Sequence, residues 1–178
     1  MLAACVCASG MVLGAALSNA GTGVAPAGTV ADISSATWTP VSTLTNAFTA
    51  ESGSMDLGSI VIDNNKRAGY KIAITSFRLG KLRLTGVDTA RAGETGHEIA
   101  YTISSAVPAS DAGTASGQSP DPLVFSDQSL SSELSRSVNV PLNATESAKY
   151  DLSISYGANN MLFAGNFSDT ITITYVDL

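Results

Sequence analysis

The stretch Thr170-Ile171-Thr172-Ile173-Thr174-Tyr175 sets the strongest constraint on this chain. Small hydroxyl residues alternate with large apolar ones at a period of 2, which puts every apolar side chain on one face of an extended strand. A helix of the same sequence would scatter them around its axis. The pattern recurs. Tyr70, Ile72 and Ile74 alternate with Lys71, Ala73 and Thr75, and Leu152, Ile154 and Tyr156 with Asp151, Ser153 and Ser155. Val138, Val140 and Leu142 alternate with Ser137 and Asn139, and Pro141 marks a strand end or an edge.

These segments predict strands over Val30–Trp38, Val41–Phe48, Met55–Ile62, Gly69–Ser76, Lys81–Leu84, Glu98–Ser104, Leu123–Phe125, Ser137–Leu142, Tyr150–Tyr156 and Thr170–Val176. Turn residues separate them: Asp63-Asn64-Asn65, Gly157-Ala158-Asn159-Asn160 and Gly165-Asn166. Residues 105–121 read as a long Ala/Ser/Gly/Pro loop, and 127–135 or 143–149 as room for a helical turn. The expected fold is all-β: a β-sandwich of about 8–10 short antiparallel strands.

Composition narrows the class. Only 13% of residues are charged, about half the usual quarter, while 24 Ser and 17 Thr fill the gap. The chain is too apolar for intrinsic disorder, at 44% hydrophobic residues. A net charge of −6 excludes the basic footprint of a nucleic-acid binder.

The first charged residue is Asp32. Residues 1–20 are apolar and small, and Ser18-Asn19-Ala20 places small residues where a signal peptidase cuts, so 1–20 is expected to be a signal peptide, although no Lys or Arg precedes the apolar run. Both cysteines, Cys5 and Cys7, lie inside it, so a cleaved chain would hold no disulfide or thiolate site. Residues 21–33 form a lead-in that is uncharged up to Ala31, and 34–178 the domain. The expected location is extracellular or at the cell surface, reached through the periplasm.

The remaining charge is polarised. Lys66, Arg67, Lys71, Arg78, Lys81, Arg83 and Arg91 face only Asp88 in residues 66–91, which carry +6 against −12 for the rest of the chain. This is read as a solvated sheet face with edge cations, or as a stripe that meets an acidic patch on another subunit or an anionic glycan.

Catalytic constellations are sparse. His97 is the only histidine and reads as a surface-turn residue before a strand. Asp111, Asp121 and Asp127 could offer calcium loop carboxylates, without EF-hand spacing. Trp38 reads as core, with a sugar platform as the rival. A non-enzymatic protein without a cofactor or metal is expected.

The C-terminal run Ala164-Gly165-Asn166-Phe167-Ser168-Asp169-Thr170-Ile171-Thr172-Ile173-Thr174-Tyr175 resembles the terminal strand of spore-coat-protein-U-like secreted pilins, of the chaperone–usher type. A second echo is Ile62-Asp63-Asn64-Asn65 followed by Gly69-Tyr70-Lys71-Ile72. The paired cysteines and Tyr-rich middle strand common in that family are missing here. The resemblance implies an Ig-like or pilin-like sandwich and assembly by donor-strand complementation, in which an extension from one subunit completes the sandwich of the next. Copies of the same chain would be the partners, with a periplasmic chaperone and an outer-membrane usher. The donor would be the lead-in, with Val24, Val30 and Ile33 as its apolar contacts and Pro26 interrupting. The alternative function is a monomeric secreted or surface adhesion module that binds glycan or another ligand near Trp38 or the basic stripe.

Overall fold

The computed structural model describes residues 33–41, 51–87, 94–110, 116–139 and 147–178. The described residues form ten strands and no helix: β1 (Ser34–Pro40), β2 (Gly53–Asn64), β3 (Tyr70–Ser76), β4 (Lys81–Leu84), β5 (Glu98–Ala106), β6 (Phe125–Ser129), β7 (Leu134–Val138), β8 (Ala148–Tyr156), β9 (Phe167–Ser168) and β10 (Ile171–Asp177). All pairings are antiparallel. One seven-stranded sheet has the order β1-β2-β8-β5-β4-β9, with β6 also on β5; a three-stranded sheet has the order β10-β3-β7.

The two sheets share one apolar core. Ile60 and Ile62 of β2, Tyr150 and Ile154 of β8, and Ile103 of β5 join Tyr70, Ile72 and Ile74 of β3 and Val138 of β7 in a single buried cluster. A small void of about 20 Å³ lies between Ile60, Ile62, Tyr150 and Leu152 on one side and Ile72, Ile74 and Ile173 on the other. Alternation does the sorting: β3 and β8 bury every second residue, as their sequences require.

In β2 the alternation is broken by a bulge between Asp56 and Gly58 in the pairing with β8. The extra residue lets Met55 before it and Ile60 after it both pack on the core. Gly58 has φ 140°, and a Cβ there would lie 2.3 Å from the Thr39 carbonyl oxygen. Only glycine allows β1 to approach β2 at this point.

Three expectations change. The helical turn at 127–135 is replaced by the end of β6, a short connection and β7. The strand expected at Ser137–Leu142 begins earlier, as β7 at Leu134–Val138, and residues 140–142 of that expectation lie outside the described residues. Its inward position between Leu134 and Val138 is held by Arg136, which masks the apolar period; the guanidinium lies 5.7 Å from the centre of the Phe125 ring. The strand at Leu123–Phe125 instead begins at Phe125. The β9 pairing with β4 joins only Phe167–Ser168, too short for a period to register. The expected strand at Val41–Phe48 and the second helical-turn segment fall mostly outside the described residues.

Candidate functional site

The strands β1 and β10 lie at the outer edges of the two sheets: among the described residues β1 pairs only with β2, and β10 only with β3. Each contributes inward side chains to the core. Ala36 and Trp38 of β1, and Ile171, Ile173 and Tyr175 of β10, pack against the buried cluster but remain only half-buried. By contrast, the inward residues of β3 and β8 are buried throughout. Among the described residues, the apolar faces of the two edge strands are thus incompletely covered, and the outer backbone groups of each edge meet no second strand.

At one end the two edges are held together by a polar clasp. Ser34 Oγ donates to Asp177 Oδ1 at 2.6 Å, and the Tyr175 hydroxyl donates to the same oxygen at 2.7 Å. Asn64 Nδ2 donates to Asp177 Oδ1 at 3.0 Å and to the Tyr175 hydroxyl at 2.5 Å. Lys66 Nζ lies 2.9 Å from Asp177 Oδ2. Burial works against the Asp177 carboxylate, but the contacts from Lys66, Ser34 and Tyr175 outweigh it and hold its pKa below the ordinary aspartate value. Burial pushes the Tyr175 hydroxyl pKa up.

A second polar centre secures the start of β10. Asp169 accepts hydrogen bonds from Ser76 Oγ at 2.5 Å and the Tyr101 hydroxyl at 2.6 Å through Oδ2, and from the backbone N–H of Arg78 at 3.0 Å and Thr170 at 2.6 Å through Oδ1. The aspartate of the C-terminal motif therefore bonds backbone at the strand start, as its position suggests, and also ties β10 to β3 and β5. Phe167 packs against the core, and Thr170, Thr172 and Thr174 are exposed.

The sequence-predicted contact residues are dispersed. Val24 and Val30 lie outside the described residues. Ile33 is exposed beside the clasp; its N–H donates to Asn65 Oδ1 at 2.7 Å, and its carbonyl accepts from the Asn65 N–H at 3.0 Å. The basic stripe is largely consumed by internal pairs. Lys81 and Arg83 both bind Glu98, at 2.8 and 2.7 Å. Burial opposes the charged Glu98, yet the two cations hold its pKa below the usual value. Lys66 binds Asp177, and Lys71 lies 3.7 Å from Glu133. The Arg78 guanidinium donates to the Arg83 carbonyl, and Arg67 is exposed in the turn before β3.

Trp38 is half-buried on the edge strand, with its indole Nε1 enclosed and unpartnered. His97 departs from the surface-turn expectation. Its backbone sits in the turn before β5, but the ring is buried and stacks on Phe163 at 4.7 Å. An apolar neighbour across the fold covers it, which no local pattern announces. Its Nδ1 lies 3.6 Å from Glu94.

The calcium candidates separate as well. Asp121 accepts from the Tyr150 hydroxyl and from the N–H groups of Ser116 and Leu123. Asp127 accepts from Thr102 Oγ1 on another strand, and Asp111 lies outside the described residues. Among the described residues no group of three His, Cys, Asp or Glu side chains is placed to hold a metal ion.

Sequence reasoning missed Ser34, Asn64 and Asp177 as one centre. Asn64 was visible only as a turn residue, and the partners lie 111–143 positions apart. No protein-family model matches the chain, and no curated protein matches it.

Proposed function

We propose that this chain is a non-enzymatic structural subunit of a bacterial extracellular fibre, pilus or matrix, exported through the periplasm and assembled by strand exchange between copies of itself. The observation that carries the reading is β10. It supplies Ile171, Ile173 and Tyr175 to the core, yet it has one strand neighbour among the described residues and its inward side chains stay half-buried.

An extended segment laid along that edge satisfies the open backbone groups and covers the apolar side chains in one step. The lead-in 21–33, whose only charged residue is Asp32, directly precedes β1, so the same chain carries both the edge that accepts a strand and a segment suited to be given. The C-terminal resemblance to spore-coat-protein-U-like pilins supports the same assignment, with a chaperone and usher as assembly partners and an Ig-like sandwich as the subunit fold.

Size-exclusion chromatography and negative-stain microscopy test it. The intact protein should form filaments, and deletion of residues 21–33 should abolish them while leaving a soluble fold. Monodisperse monomers of the intact protein contradict the proposal; unchanged filaments after the deletion contradict the donor assignment.

A second reading, a monomeric adhesion module, draws on one observation. A shallow depression of about 480 Å³ is lined by Tyr101, Tyr156, Lys81, Thr102, Ser129 and Ser155. Its hydroxyl rim of Thr102, Ser129 and Ser155 suits the hydroxyls of a sugar ring. Saturating glycan-array binding by monomers, lost in Lys81→Ala, would favour that reading.

A further inference from the structure

The turn from Phe77 to Gly80, between β3 and β4, combines exposure with rigidity. Phe77 is 81% exposed and Leu79 61%. Both are large apolar side chains that contribute nothing to the buried cluster. Leu79 sits at φ 57°, in the left-handed region where Gly or Asn is less strained than a branched side chain. Folding alone does not account for leucine at that position.

All four N–H groups of the turn have acceptors. Phe77 donates to the Thr170 carbonyl at 2.9 Å, Arg78 to Asp169 at 3.0 Å, Leu79 to the Ser76 carbonyl at 3.3 Å and Gly80 to Ser76 Oγ at 2.7 Å. The tip is therefore held in one shape by Asp169 and Thr170, just before β10, and by Ser76 at the end of β3. Arg78 stands between the two apolar residues, and its guanidinium bonds a carbonyl oxygen rather than a carboxylate, so its charge is not neutralised there.

These properties match the demands of a lipid interface. Backbone donors that enter it must already be satisfied. Aromatic and aliphatic side chains anchor at the headgroup level, and a cation beside them attracts anionic lipid. A fluid surface also needs no shape-matched pocket for a convex tip.

We infer that the Phe77–Gly80 turn is a lipid-surface anchor, with Phe77 and Leu79 entering the headgroup boundary of an anionic membrane and Arg78 contacting its headgroups. This site is distinct from the β1 and β10 edges and does not depend on strand exchange.

Flotation of the full chain with phosphatidylcholine vesicles, with and without phosphatidylglycerol, tests it. The unaltered protein should float with the anionic vesicles, and Phe77→Ser/Leu79→Ser should bind at least about tenfold more weakly, since it removes two apolar contacts. Both proteins carry the same apolar N-terminus, so their difference reads the turn. Both substituted side chains are exposed, so the urea midpoint should not fall. Arg78→Gln should lose the preference for phosphatidylglycerol. Absence of vesicle binding, or equal binding by the double variant, overturns the inference. So does a double variant that changes only the sedimentation coefficient, which would assign the tip to contacts between copies.

Discussion

Ser34 Oγ donates to Asp177 Oδ1 at 2.6 Å, joining the first residue of β1 to the last residue of β10. The bond crosses from one sheet to the other at the end of the two open edges. Four donors converge on this carboxylate, counting Asn64, Tyr175 and Lys66. The clasp fixes how the two edge strands sit relative to each other at this end of the sheets.

Asp177→Ala should destabilise the fold by about 2 kcal/mol, because buried Asn64 and half-buried Tyr175 lose their acceptor. The urea midpoint measures this. Asp177→Asn should cost less at neutral pH, since the amide oxygen still accepts.

The same carboxylate should give a pH signature. Its folded pKa is lowered, so its stabilisation is complete above the unfolded value near 3.8 and is lost as the pH falls through the folded value. Stability curves of the unaltered protein should drop below about pH 4, and Asp177→Asn should flatten part of that drop. Equal slopes would contradict the clasp as a charged centre.

Asp169→Ala should cost about 2–3 kcal/mol, since it removes the acceptor of two hydroxyls and two backbone N–H groups. The loss should appear both in the denaturation midpoint and as faster amide exchange through residues 77–80.

Gly58→Ala should destabilise by about 1–3 kcal/mol, because the new Cβ would collide with the backbone of Thr39 and Pro40 at a positive φ. The bulge needs this glycine, so amide exchange in β1 should accelerate more than in β8. Uniform acceleration would place the damage elsewhere.

Glu98→Gln should cost about 1 kcal/mol, a modest figure because Lys81 is 46% exposed and solvent screens its share. The effect should shrink in high salt.

Strands with an unbroken period were legible from the residues alone: β3, β8 and β10 fall within two residues of their expected limits. Period fails where a polar side chain takes an inward place, as Arg136 does in β7, and where a pairing is two residues long, as in β9. Asp63-Asn64-Asn65 reads as a turn, but Asp63 and Asn64 end β2 and the turn follows at Arg67-Ala68, while the place of Asn64 in the clasp depends on Asp177, brought near only by the pairing of the whole fold. His97 shows the same limit, since its burial is set by Phe163, 66 positions away. Charge counting was misleading for a related reason: Lys81 and Arg83 look free in sequence, and one glutamate across the sheet binds both.

The central claim is that β10 is an edge awaiting a strand from another copy. Residue-resolved amide hydrogen exchange, compared between dilute monomer and assembled material, tests it most directly. Exchange across Ile171–Asp177 should slow by about a hundredfold or more on assembly, as the open ladder becomes paired. Assembled material in which β10 exchanges as fast as in the monomer would contradict the account.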